Sequence, residues 1–413
     1  MGTFLFSNFA SGDRSRDRAG RAIGRRAGSL FAALVLLVVT GHAQSPAVAG
    51  DTLLTQARRA EADQRFDVAM DRYYALLLEQ PGTKDAQTAR LELARLLALS
   101  GNVSSAVLQC QLLRDELPSD HPMRERALEL ASLLGRRLRA AATSSAYYST
   151  FEAIPGRGIP ALDEPRTLVF EGESRFALVD DGAGRVYRMA ADGGGAVGTG
   201  PEPTAVAVLP DGAIVVASKT GLSRIPAATP VVLSGTIGGK ARQLRKVRSM
   251  AALSNGDLLV VDRDVEALLR CQPATGACAA WGPAGKFRTV RVGASDWIYL
   301  LDDRGQGVRV IDASQRPITL IGPMLGGMKF EKIEDLAVDS AHGVYLLDGP
   351  LKRVHLAVMR LGTDGRVTAV SLGAAAMPQE GERALKNPTT IGVSPSGAAY
   401  VTGKGSPRVM RFR

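Results

Sequence analysis

The sequence predicts an α-then-β chain: a short α-helical repeat module followed by a six-bladed β-propeller. Three observations carry this. Residues 51 to 142 place apolar side chains at helical spacing. From about residue 160 glycine rises, helical spacing ends, and short apolar strands alternate with turns. Those strands recur in six copies roughly 40 residues apart, the period of propeller blades.

The N-terminal segment comes first. Residues 29 to 40, "SLFAALVLLVVT", are almost wholly apolar and follow Arg14, Arg16, Arg18, Arg21, Arg25 and Arg26. Twelve residues fall short of the roughly 20 that span a bilayer. A basic stretch, a short apolar core and then "GHAQSPAVAG" read as a signal peptide over residues 1 to 49, cleaved after Ala43 or Ala49. The alternative is an uncleaved N-terminal anchor. Export to the periplasm is the expectation, with secretion as the other destination. No second membrane segment follows. Removing the leader lowers the net charge from +10 to about +6, with both signs interspersed. No dense Lys/Arg tract remains, so nucleic acid is not an expected partner.

Residues 50 to 142 contain two superimposable segments. Ala57, Ala69 and Pro81 lie twelve apart, as do Ala94, Ala106 and Pro118, offset by 37. Phe66 matches Val103, and Gln64 matches Gly101 at the turn between helices. Small residues let paired helices approach closely, and proline ends the second helix of each pair. The segment "HPMRERALELASLLGRRLRAAA" reads as a final helix covering the open end. The spacing resembles tetratricopeptide repeats, whose usual period is about 34. The bulky aromatic expected early in the first helix of such a repeat is missing. The resemblance implies a docking groove for a peptide or protein; the plainer reading is a packing module.

The propeller is assigned to residues 143 to 413. Its repeat is strand, glycine turn, strand, aspartate, turn, strand with arginine, and a variable outer strand. The aspartate position is filled by Asp180, Ala217, Asp262, Asp302, Asp348 and Thr402. The expected role of the aspartate is to cap the following turn through backbone hydrogen bonds. Arg185, Arg224, Arg270, Arg309, Arg353 and Arg408 follow five to eight residues later, and Asp–Arg pairing is expected as scaffold. Three copies open on proline: Pro165, Pro203 and Pro388. This pattern resembles the NHL-repeat propeller family over roughly 155 to 413. No fourth strand follows "PRVMRF" at the end of the sequence, and residues 147 to 154, "YYSTFEAI", are the candidate closing strand.

Cys271 and Cys278 bracket "QPATGA", with a turn at Thr275-Gly276. If strands flank that turn, the thiols face each other within bridging range, so the pair is a disulfide candidate in an exported chain. Their spacing fits no zinc ribbon. Cys110 lies on the apolar face of a predicted helix and reads as a buried small hydrophobe.

Loops at one end of the channel are the expected place for a ligand. Aligning the blades puts Glu164, Glu202, Lys246, Lys286, Lys332 and Asn387 just before the inner strands. Arg248 and Arg288 stand two residues further along. The three lysines form a positive arc able to hold an anionic ligand or an acidic peptide. Solvated strand starts account for the same lysines without a ligand. Of four histidines, only His342 and His355 fall in the propeller, so no histidine-based catalytic set is expected. No serine stands in a nucleophile-elbow motif, and no metal or cofactor is expected.

The composite expectation is a non-enzymatic exported interaction or scaffold protein of the cell envelope. It would bind protein or peptide partners through helices and propeller, and an anionic envelope ligand is a further candidate. The alternative is a metal-dependent, lactonase-like propeller hydrolase or lyase resting on Glu164, Glu202 and Asn387. The sequence leaves the oligomeric state open.

Overall fold

The structure, a computed structural model, describes residues 52–143, 147–148, 150–155, 162–191, 197–199, 202–225, 230–378, 384–406 and 408–413. The expected signal peptide lies outside the described residues. Among the described residues, no helix is long and apolar enough to cross a membrane.

Five helices come first: α1 (Leu53–Ala62), α2 (Phe66–Glu79), α3 (Lys84–Leu99), α4 (Val103–Glu116) and α5 (Pro122–Thr143). Each packs on the next. Thr52 and Thr83 cap α1 and α3 by accepting the N–H groups of Thr55 and Ala86, each at 3.2 Å. Ala57, Ala69, Ala94 and Ala106 are fully buried where the helices approach. The tight α1–α2 and α3–α4 turns place Gln64 and Gly101 at positive φ, 58° and 90°.

Six antiparallel blade sheets follow among the described residues, with two small two-stranded ribbons between them. Their inner strands are Pro165–Phe170, Pro203–Val208, Val247–Ala252, Phe287–Val292, Ile333–Val338 and Asn387–Val393, for blades 1 to 6. Neighbouring inner strands touch all the way round, blade 6 meeting blade 1. Five blades have four strands and blade 2 has three among the described residues. Blade 6 takes its outer strand from the other end of the propeller segment: Phe151–Pro155 pairs antiparallel with Arg408–Phe412, in register from Phe151↔Phe412 to Pro155↔Arg408. This pairing covers what would otherwise be an open sheet edge.

The repeat aspartates bind backbone, as capping residues do. Asp180 accepts N–H groups of Asp163 (2.9 Å) and Glu164 (2.7 Å), Asp262 those of Lys246 (3.0 Å) and Asp264 (2.9 Å). Asp348 accepts those of Glu331 (2.8 Å) and Lys332 (3.3 Å). Each ties the loop entering the inner strand to the end of the second strand. The expected Asp–Arg pairing along the repeat is corrected. Arg224 and Arg270 instead reach Asp211 (2.9 Å) and Asp257 (2.5 Å) in the first turn of their blades, and Arg309 lies over the Phe287 ring. In blade 2 the repeat position is Ala217 and offers no carboxylate; in blade 3 the Asp262 carboxylate is already held by backbone N–H groups.

Cys271 and Cys278 are joined by a disulfide across the third and fourth strands of blade 3, with Cα atoms 4.1 Å apart. Cys110 is a buried free thiol.

The helices sit on the face where inner strands turn back into second strands, here the turn face. One apolar cluster runs from Leu93, Leu96 and Phe66 into Trp297, Leu336 and Val344, so module and propeller share a core. Phe66 lies 6.1 Å from Trp297, and burying such a side chain contributes about 1.5–3 kcal/mol. Polar groups flank it. Glu61 accepts the hydroxyls of Tyr73 (3.0 Å) and of Ser295 in blade 4. Gln64 donates to Asp312 at 2.9 Å, and Arg95 to the Ser340 carbonyl at 3.1 Å.

Candidate functional site

The opposite face, where inner strands begin, is the entry face. The entry mouth of the central channel is built by a backbone device repeated in every blade. All six inner strands carry a register shift near their start, after the first residue in blades 1 to 5 and after Pro388, the second, in blade 6. A bulge there breaks the alternation of side chains and re-aims the residue it leaves unpaired. The bulged positions are Arg166, Thr204, Arg248, Arg288, Glu334 and Thr389, and all but Thr204 line the mouth cavity.

That cavity has a volume of about 290 Å³. Arg166, Arg248, Arg263, Arg288, Arg291 and Lys332 line it, against the carboxylates of Glu164 and Glu334. Arg166 pairs with Glu164 at 3.0 Å, Lys332 with Glu334 at 2.7 Å, and Arg288 also with Glu334. Arg248 pairs with Asp303. Burial lowers the Arg248 pKa against the pull of Asp303, and the Arg288 and Arg263 charges lower it further. Arg166 also pairs with Asp181 at 2.6 Å, so six cations stand against the five carboxylates Glu164, Asp181, Asp303, Glu334 and Asp335.

One residue deeper the strands carry Thr167, Ala205, Ser249, Thr289, Asp335 and Thr390, each no more than 5% exposed. Across this ring runs a buried network. Arg291 donates to both oxygens of Asp335, at 3.0 and 3.2 Å, and to Ser249 Oγ at 3.2 Å. Asp335 also accepts the hydroxyls of Thr390 (2.7 Å) and Thr289 (3.2 Å). A charge pair so enclosed is held by its hydrogen bonds rather than by water, and it forms a polar floor beneath the mouth spanning blades 3 to 6.

The residues aligned from the sequence divide. Glu164, Arg248, Arg288 and Lys332 line the cavity; Glu202, Lys246, Lys286 and Asn387 do not. Lys246 pairs with Asp264 at 3.1 Å and Lys286 with Glu266 at 2.8 Å, both largely exposed. Of the lysine arc only Lys332 reaches the cavity; in blades 3 and 4 the bulged Arg248 and Arg288 take that place, and Lys246 and Lys286, two residues earlier, stay outside with their carboxylate partners. Arg166, Arg263, Arg291, Glu334 and Asp335 were missed. For Arg166, Glu334 and Asp335 the signal lay in the aligned strands "PRTLVF", "VRSMAA", "FRTVRV" and "IEDLAV", a charge second and a small or acidic residue third; Arg263 and Arg291 fall outside that pattern.

Glu164 and Glu202 do not converge: the first is held by Arg166, the second by Lys219 at 2.6 Å. Among the described residues no three of His, Cys, Asp and Glu gather as a metal-binding group. His342 is buried and stacked 4.1 Å from Trp297, and His355 lies fully buried against Phe330. Burial lowers the pKa of both.

No protein-family model matches the chain, and no curated protein matches it. Solved structures do. An auxiliary nutrient binding protein from Bacteroides ovatus is similar at 13% identity and TM-score 0.46, over 64% of this chain and 77% of that one. A structural genomics protein of unknown function from Bacteroides thetaiotaomicron is similar at 13% identity and TM-score 0.44, over 65% and 73%. A streptogramin B lyase is similar at 8% identity and TM-score 0.42, over 64% and 97%.

Proposed function

We propose that this chain is a non-catalytic, exported binding protein whose entry mouth takes an anionic segment of a protein or peptide partner. The observation that carries it is the bulge-aimed set Arg166, Arg248 and Arg288, with Lys332, in one cavity of about 290 Å³. Guanidinium forks recognise carboxylates in two-pronged hydrogen bonds. The internal partners Glu334 and Asp303 model that contact, and an incoming carboxylate would exchange with them. Such a mouth attracts acidic segments over distances set by salt screening.

The wider reading places the propeller with NHL-type repeats and the helices with tetratricopeptide-like repeats, in the periplasm as part of an envelope assembly. The basic-then-apolar leader supports export, and the Cys271–Cys278 disulfide suits an oxidising compartment. Tyr74 and Leu78 on α2, with Leu108 and Leu112 on α4, are exposed and support a protein-docking role for the helices.

The test is calorimetric titration with an oligo-glutamate peptide and with a neutral peptide of equal length. Binding of the acidic peptide alone, weakened at least tenfold in Arg248→Ala/Arg288→Ala and by added salt, is expected. Equal affinity in that double variant would sink the reading. So would turnover of a lactone, glycan or peptide that disappears on substitution at the mouth.

A further inference from the structure

A second concentration of guanidinium groups lies on the other face, away from the mouth. Where α5 passes the seam between blades 6 and 1, a cavity of about 520 Å³ is lined by Arg136, Arg175, Arg411 and Arg413, with Tyr400 and Glu173. The one carboxylate is already engaged. Glu173 accepts the Ser396 N–H (2.8 Å), the Ser396 hydroxyl (2.5 Å) and the Ser394 hydroxyl (3.1 Å).

Two of the arginines are incompletely satisfied. Arg411 is 8% exposed; Nη1 donates to the Ala191 carbonyl at 3.2 Å, Nη2 pairs with Glu152, and the Tyr400 hydroxyl lies beside the guanidinium, but buried Nε makes no well-aligned hydrogen bond among the described residues. Nη1 of Arg136 is likewise shut off from water and unpartnered. Buried donors without acceptors are costly and uncommon in folded chains. Their side chains line a cavity that sets four arginines against Glu173 and the Glu152 paired with Arg411, so an oxyanion is the acceptor that fits. The space exceeds that of a lone phosphate and leaves room for the group that carries it.

We propose that this seam pocket binds the phosphate of a phosphate monoester. Arg136, Arg175 and Arg411 would supply donors from α5, blade 1 and blade 6, so the ligand would bridge the helical module to the ring closure. The monoester could arrive as a small soluble phosphate or as a lipid headgroup, which share this chemistry.

The experiment uses the full mature chain, titrated calorimetrically with glycerol 3-phosphate, with glycerol as the uncharged control. Vesicles of phosphatidylcholine, with and without phosphatidic acid, form the second arm. Saturable binding of glycerol 3-phosphate assigns a soluble ligand, and binding of phosphatidic acid vesicles alone assigns a headgroup. Arg136→Gln and Arg175→Gln should each weaken binding about tenfold. Arg248→Ala/Arg288→Ala at the mouth should leave it unchanged, which separates this site from the peptide site. Arg175 is exposed, so its variant carries the test if Arg136→Gln impairs folding. No binding of either probe, or affinity unchanged in Arg175→Gln, or loss only in the mouth variant, overturns the proposal.

Discussion

Arg137 of α5 meets Asp339 of blade 5 in a two-pronged contact, Nη2 lying 2.8 Å from Oδ1 and 2.6 Å from Oδ2. Both residues are buried. Asp339 also accepts the N–H groups of Ala341 (2.9 Å) and Gly343 (2.8 Å) and the Tyr345 hydroxyl (2.9 Å). Burial alone would raise its pKa, but the Arg137 charge and these N–H groups outweigh burial and hold it below the usual carboxylate range.

Removing the cation strands a buried carboxylate. Arg137→Met is expected to cost about 3–5 kcal/mol in denaturant unfolding. Gly343→Ala should open the same contact, because a Cβ there would sit 2.3 Å from Arg137 Nη2 and 2.2 Å from Asp339 Oδ2. A stability for Arg137→Met within 1 kcal/mol of the native chain would show that the pair does not anchor α5.

Glu61 and His342 give the interface opposing responses to pH. Glu61 is raised to about 7, by burial first and then by the Glu92 charge, against hydrogen bonds from Ser295 and Tyr73 and the Arg95 charge. Between the unfolded value of 4.5 and about 7 the folded chain holds the extra proton, so this contribution is lost as pH rises. Glu129 on α5, raised to about 7 by burial and then by the Glu125 and Glu173 charges, acts in the same direction. His342 is lowered by burial to about 3, so the unfolded chain binds more protons between there and 6.5, and its contribution is lost as pH falls. In Glu61→Gln the first term disappears. The variant should gain on the native chain by about 1–3 kcal/mol as pH rises from 4.5 to 7, read from denaturant midpoints at each pH. A pH-independent difference would show that Glu61 titrates normally.

The floor of the mouth should respond as a unit. Asp335→Ala leaves Arg291 buried without its counter-charge and is expected to cost about 3–5 kcal/mol. Thr390→Val removes one of several hydrogen bonds to Asp335 and should cost only about 1–2 kcal/mol. Combining them should cost less than the sum, since both act on one carboxylate. Strict additivity in thermal unfolding would disprove the network.

The disulfide closes a short hairpin, with a sequence separation of 7. Cys271→Ser/Cys278→Ser is expected to lower stability by about 2 kcal/mol, because short loops lose little chain entropy on closure. Labelling of the unfolded chain with a thiol reagent should modify Cys110 alone before reduction and all three cysteines after it. Labelling of all three without reductant would contradict the bond.

The order of helices and blades was legible because it rests on local periodicity. Ala57, Ala69, Ala94 and Ala106 mark helix faces at fixed spacing, and strands alternating with turns mark blades whatever surrounds them. The mouth was half legible. Arg248 and Arg288 could be seen as charges at strand starts, but the bulge that turns them to the axis depends on pairing with the second strand, which a linear alignment does not contain.

What the sequence by itself determined is therefore the architecture: helical segments, six repeats, and a cysteine pair flanking a turn. What only the tertiary structure decided is which charges meet. Arg137 finds Asp339 across some 200 residues, Glu61 finds Ser295 across 234, and Arg291 finds Asp335 across a blade boundary. The physical reason is that periodicity is a property of neighbouring residues along the chain, whereas a buried ion pair depends on distance and desolvation in space. Those exist only after the ring has closed and the helices have settled on it.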